Sequence, residues 1–128
     1  MVSSDRWLVQ GHYHDTYGMA VANILASLQH GLRTFDSSVG GLGGCPYSPG
    51  ATGNVATEDV LYALRGSQYE APGDLDAIAK VGTWISKTLN RTNSSRVGKA
   101  LEARRAREQL EKERERDGGA AESTSAKL

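Results

Sequence analysis

The sequence predicts an α/β fold built from parallel strands joined through helices. Two stretches rich in β-formers, residues 7–14 and 32–39, flank a segment with helical spacing of apolar residues. Each strand runs into residues that carry chemistry: His12 and His14 after the first, a glycine-rich loop holding Cys45 after the second. A strand–helix–strand unit with its chemistry at the carboxyl ends of consecutive strands is the pattern of parallel α/β folds, and in a (β/α)8 barrel that end is the catalytic face.

Each element can be justified in order. In Trp7-Leu8-Val9-Gln10-Gly11-His12-Tyr13-His14, residues two apart share a strand face, so His12 and His14 project side by side with Tyr13 opposite. Two imidazoles at that spacing offer two nitrogens to one ion from one stretch of backbone. Asp15 follows directly and can either accept from an imidazole N–H or cap the next helix. That helix is expected over residues 19–30, with Ala20, Val21, Ile24, Leu25 and Leu28 on its buried face and Gly31 as its stop. The second strand leads into Val39-Gly40-Gly41-Leu42-Gly43-Gly44-Cys45-Pro46-Tyr47, which neither a helix nor a central strand tolerates. Long loops of odd composition tend to carry function, and here the single cysteine sits at the loop's centre.

After the loop, Thr57 is expected to cap a helix whose first turn holds Glu58 and Asp59 and whose buried stripe is Val60, Leu61 and Leu64. Asp74 caps a longer helix to about Asn90, with Leu75, Ile78, Val81, Ile85 and Leu89 as its apolar side and Trp84 as a packing residue. Residues 95–117 read as a charged, solvated helix with opposite-sign pairs Arg104/Glu108, Arg107/Glu111 and Glu108/Lys112. Residues 118–128 read as a disordered tail ending in Ala126-Lys127-Leu128, which resembles a peroxisomal address.

Composition narrows the function classes. The chain has 128 residues, 15 basic and 15 acidic, so no global field points to nucleic acid or to a membrane surface. No apolar run reaches the roughly 20 residues of a membrane helix. The start has no secretory or transit pattern. One cysteine excludes an internal disulfide and suits a reducing compartment.

Three segments carry a family resemblance: His12-Tyr-His14-Asp-Thr-Tyr-Gly18, Asp36-Ser-Ser-Val-Gly-Gly-Leu-Gly-Gly-Cys45-Pro-Tyr47, and Gly53-Asn54-Val-Ala-Thr-Glu58-Asp59. Over residues 11–97 the chain resembles the C-terminal part of 3-hydroxy-3-methylglutaryl-CoA (HMG-CoA) lyase, a (β/α)8 TIM barrel of the pyruvate carboxyltransferase-like group. The His-x-His-Asp-Thr element is shared with related synthases and carboxyltransferases. The Gly-Gly-Cys-Pro-Tyr loop is far more specific to the lyase.

The resemblance implies a carbon–carbon lyase that cleaves HMG-CoA to acetyl-CoA and acetoacetate, in leucine degradation and ketone-body metabolism. It implies a divalent cation, Mg²⁺ or Mn²⁺, held by His12, His14 and Asn54. Cys45 is then the acid that protonates the acetyl-CoA enolate, His12 shares in proton transfer, and Asp15, Glu58 and Asp59 support the ligands. It also implies an acyl-CoA substrate, and in the full-length family a homodimer and a mitochondrial location; Ala126-Lys127-Leu128 points instead to a peroxisomal location, and otherwise the chain is expected to be cytoplasmic.

A barrel needs about 250 residues, and the family's Arg-Asp-Gly element has no counterpart before Gly11. The expected architecture is therefore a truncated barrel portion over residues 1–94, the charged helix over 95–117 and the tail over 118–128. The chain by itself is expected to be inactive. The alternative is a non-catalytic half-barrel that acts at most through binding.

Overall fold

A computed structural model describes residues 9–44, 52–69 and 71–125, with side chains as far as Arg116. Strand β1 (Gln10–Gly11) pairs in parallel with β2 (Thr34–Phe35), with Gln10 opposite Thr34 and Gly11 opposite Phe35. Helix α1 (Ala20–Gln29) makes the crossover. The expected strand–helix–strand unit is therefore present, and the chain is α/β.

Both strands are shorter than the sequence suggests. Their continuations pair with another segment: Val55 N donates to Tyr13 O, Asp15 N to Gly53 O, Ser38 N to Val55 O and Thr57 N to Ser38 O. Residues 53–57 thus fasten the ends of β1 and β2 together. Gly11 is buried where a β-carbon would lie within 3 Å of Tyr13, Phe35 and Leu32 side chains, which explains a glycine inside a strand.

The apolar core is Ala20, Ile24, Leu28, Val55 and Leu64, with Tyr13, Val21, Phe35, Val60, Tyr69 and Ala71 packed against it. The α1 stripe is as expected except for Leu25, which turns outward. Tyr13 points away from the two histidines, stacks obliquely on Phe35 and shares a 2.6 Å hydrogen bond with Ser27 Oγ. Arg33 donates to Leu28 O and Leu32 O and lies over the Tyr69 ring, closing the end of α1.

Helix α2 (Thr57–Leu64) begins where expected, but Thr57 does not cap it; its hydroxyl meets Ser37 Oγ at 2.8 Å, and Ala56 occupies the cap position. The buried α2 residues are Glu58, Asp59 and Leu64, with Glu58 the most buried, while Val60 and Leu61 of the expected stripe are only partly buried.

Helix α3 (Leu75–Thr88) is capped by Asp74, whose carboxylate accepts from Asp76 N and Ala77 N as anticipated. Its buried face differs from the expected one. Ala79, Gly82 and Ser86 face inward, while Val81, Leu89 and Trp84 are exposed, so Trp84 is not a packing residue among the described residues. The reason is close approach: a β-carbon on Gly82 would collide with Glu58 Oε1. Only a small-residue face lets α3 lie this near a buried carboxylate.

Helix α4 (Arg96–Ser125) packs its first turns on α3 and α2. Lys87 pairs with Glu102 at 2.9 Å, and Arg104 and Arg105 approach Asp76. The pairs Arg104/Glu108 and Arg107/Glu111 form at 3.5 and 2.8 Å. The disorder expected for residues 118–125 is corrected: the helix continues through them. Two glycines cost about 1 kcal/mol each in a helix, but elongating an existing helix needs no new nucleus. Ala126, Lys127 and Leu128 lie outside the described residues. Among the described residues, no helix is long and apolar enough to cross a membrane.

Candidate active site

The two histidines converge as their spacing implies. His12 Nε2 and His14 Nε2 are 3.2 Å apart, with ring centroids at 5.1 Å. Two donors each about 2.1 Å from a shared ion at near right angles would lie about 3 Å apart, so the pair already has the bite of a chelate.

Behind His12 stands Asp36. Both carboxylate oxygens lie 2.9 Å from His12 Nδ1. A carboxylate only accepts, so the Nδ1 proton is held there and the Nε2 lone pair is directed outward. Asp36 fills the role that sequence reasoning offered to Asp15. The parallel register carried the signal: with Phe35 opposite Gly11, Asp36 comes beside His12, and Asp36 N donates to Gly11 O.

Asp15 takes the other role open to it. Its Oδ1 accepts from Ala20 N at the start of α1, and its Oδ2 accepts from Arg96 Nη1 at 2.8 Å. The bond and the charge of Asp15 hold the Arg96 guanidinium more firmly protonated than an ordinary arginine. Arg96 is 81 residues away in sequence, and no local pattern announces it.

Asn54 joins the histidines through the backbone, bridging antiparallel to His14. Its Nδ2 donates to Leu42 O at 3.1 Å, which ties the entry of the glycine-rich loop to its exit. Gly53 is needed at that exit, because a β-carbon there would strike the Gly43 carbonyl. Cys45 itself lies outside the described residues. A cavity of about 120 Å³ opens between Asp15, Asn54, Ser94, Arg96 and Lys99. A groove of about 680 Å³ lies away from the histidines, between the α2–α3 connection and α4.

Glu58 and Asp59 are occupied elsewhere than at the histidines. Glu58 is fully buried, and both its oxygens accept from Gly40 N, at 3.1 and 2.9 Å. It thereby fixes the 3-10 turn Val39–Gly41 that opens the loop. Asp59 accepts from Ser95 Oγ, Arg96 N and Val97 N. It caps α4 from across the fold, a role sequence reasoning missed. Any support these two carboxylates give the site passes through the loop and α4, not through contact with an imidazole.

Burial pushes the Glu58 carboxyl up, against the lowering effect of its backbone hydrogen bonds. The native state then keeps a proton at a pH where the unfolded chain has released it. Stability therefore falls as pH rises from the ordinary glutamate range through the raised native value. Glu58→Gln, which keeps an oxygen for Gly40 N, is expected to flatten that slope in urea melts run across the acid range. A slope identical to the parent's would remove Glu58 as its source.

If the pair holds Mn²⁺ as proposed below, Asp36→Asn is expected to weaken that binding by about tenfold, because the orienting acceptor of His12 is lost. Manganese titration followed by electron paramagnetic resonance reads this, and equal affinity would show that Asp36 does not set the ligand.

The donor chemistry fits a divalent cation: two outward-facing imidazole nitrogens and a neutral amide oxygen. Among the described residues, no third His, Cys, Asp or Glu is placed to share an ion with the pair.

Comparison with known proteins accords with this geometry. The family model described as HMGL-like matches residues 1–85. The chain belongs to that family. Hydroxymethylglutaryl-CoA lyase of Pseudomonas mevalonii is 64% identical over 98 residues, covering 77% of this chain and 33% of that protein. A cytoplasmic HMG-CoA lyase of Rattus norvegicus is 52% identical over 89 residues, 70% of this chain and 26% of the relative. Other relatives are named mitochondrial, such as that of Arabidopsis thaliana.

Among solved structures, hydroxymethylglutaryl-CoA lyase from Pseudomonas aeruginosa superposes with a TM-score of 0.70 at 56% identity, covering 74% of this chain and 32% of that one. An HMG-CoA lyase from A. baumannii, solved with coenzyme A and 3-methylmalate, gives 0.66 at 37% identity, covering 71% of this chain and 30% of that one. This HMGL-like chain thus spans about a third of the length of the curated relatives it matches.

Proposed function

We propose that this chain carries the metal-ligand and proton-donor portion of an HMG-CoA lyase site, on the C-terminal strands of a (β/α)8 barrel. The observation that carries the reading is the convergence of His12 Nε2 and His14 Nε2, with Asp36 locking the first ring.

In this reading His12 and His14 hold Mg²⁺ or Mn²⁺ through Nε2, and Asn54 offers Oδ1, since its amide nitrogen is spent on Leu42 O. The cation, when bound, acidifies the substrate's tertiary hydroxyl and orients it beside the carboxylate. The chain's own residues do the rest. Asp36 keeps the His12 proton on Nδ1. The glycine-rich loop, pinned at Gly40 by Glu58 and at Leu42 by Asn54, brings Cys45 to the substrate. The hydroxyl proton would go to a base from the rest of the barrel, the Asp of the family's Arg-Asp-Gly element; as the carbon–carbon bond breaks, the hydroxyl oxygen becomes the ketone of acetoacetate and the electron pair of that bond passes to the acetyl-CoA enolate. The Cys45 thiol gives its proton to the enolate carbon and is left as thiolate. Closure of the loop keeps bulk water from competing as the proton source.

The test is a chimera in which this chain replaces the matched third of the P. mevalonii lyase. It is expected to cleave HMG-CoA with Mg²⁺ or Mn²⁺. A folded chimera that binds Mn²⁺ and forms no acetoacetate would favour the non-catalytic reading.

A further inference from the structure

Arg96 touches both ends of a polar path from α2 to the segment that carries the histidines. Its backbone N–H is held by Asp59 Oδ2 at 3.2 Å, and its guanidinium donates to Asp15 Oδ2 at 2.8 Å. Asp15 directly follows His14, and its side chain is only 17% exposed. The segment around Asp15 is otherwise costly to hold. Tyr17 is a non-glycine residue at φ 56°, in the left-handed region. Gly18, at φ 74°, lies against the Arg96 guanidinium, where any β-carbon would meet Nη2. Ala20 N and Arg96 between them use both Asp15 oxygens. The backbone around His14 is held by its bridge to Asn54 and by Asp15 N donating to Gly53 O, and Arg96 adds a side-chain constraint on Asp15.

We propose that Arg96 is a positioning residue for His14: its ion pair with Asp15 fixes the turn after the His-x-His segment and so sets the approach of His14 Nε2 to His12 Nε2. Through Asp59, the docking of α4 is coupled to the geometry of the pair. The link to metal binding rests on the proposed function; the orientation of His14 in the metal-free chain does not.

The experiment uses the 128-residue chain with ¹⁵N-labelled histidine and the variants Arg96→Met, Arg96→Lys and Glu102→Gln. The last breaks another α4 contact, to Lys87, and serves as the control. Two readouts are taken: imidazole resonances without metal, and the Kd for Mn²⁺. Arg96→Met is expected to shift the His14 ring signals and raise the Mn²⁺ Kd about three- to tenfold, a range between an exposed ion pair and a lost ligand-orienting partner. Arg96→Lys should recover most of both changes, and Glu102→Gln should produce neither.

The proposal is overturned if Arg96→Met melts as a folded chain with His14 signals unchanged, if Lys behaves like Met, or if Glu102→Gln has the same effect. Should the parent chain not bind Mn²⁺, the metal reading fails and the resonances alone decide the role of Arg96.

Discussion

Replacing Cys45 by alanine in the lyase chimera is expected to lower kcat about 10²- to 10⁴-fold, the usual contribution of a placed acid, with KM for HMG-CoA little changed. The loop that carries Cys45 is fastened by contacts the substitution does not touch: Glu58 to Gly40 N before it, and Asn54 Nδ2 to Leu42 O across its base. The histidine pair and its Asp36 partner are equally untouched. Mn²⁺ affinity should therefore stay at the parent value while turnover collapses. His14→Ala, by contrast, should lose affinity and turnover together. Steady-state kinetics beside a manganese titration separates the two, and a Cys45→Ala chimera within threefold of the parent kcat would remove the thiol from the reaction.

Asp59→Ala should be the most destabilising single change outside the apolar core. One carboxylate, 8% exposed, takes hydrogen bonds from Ser95 Oγ, Arg96 N and Val97 N. Alanine leaves two part-buried backbone donors and the buried Ser95 hydroxyl at the start of α4 without this acceptor. Each orphaned buried donor costs about 1–3 kcal/mol, and loss of a cap alone about 1 kcal/mol, so about 3 kcal/mol in total is expected. Urea denaturation gives the total. Amide exchange locates it, since Arg96 and Val97 should lose protection before the α1 amides do. A change below about 1 kcal/mol would mean that Ser95 caps the helix adequately by itself, through the bond it already accepts from Gly98 N.

The order and type of the elements were legible in the sequence because they depend on short-range rules. The Asp74 cap and the α1 stripe of Ala20, Ile24 and Leu28 are where periodicity and capping chemistry put them. The facing of His12 and His14 follows from the two-residue repeat of an extended chain. The α3 face was misjudged for a definite reason. Hydropathy favours Val81, Leu89 and Trp84, but the partner is the buried Glu58 carboxylate beside Gly82, and close approach selects small residues over apolar ones. Leu25 turned outward and Val55 inward because the core is set by what the fold brings near, not by a stripe alone.

The sequence by itself determined the family, the strand–helix–strand order and the residue types proposed to hold a cation and to donate a proton. The tertiary structure alone decided which carboxylate does what. Asp36 rather than Asp15 orients His12, Asp15 answers Arg96, Glu58 holds the loop turn and Asp59 caps α4. Four carboxylates and the donors around them can be matched in many ways on paper. Strand register, helix placement and burial leave each acid its own set of donors within hydrogen-bond reach, and those distances exist only once the chain is folded.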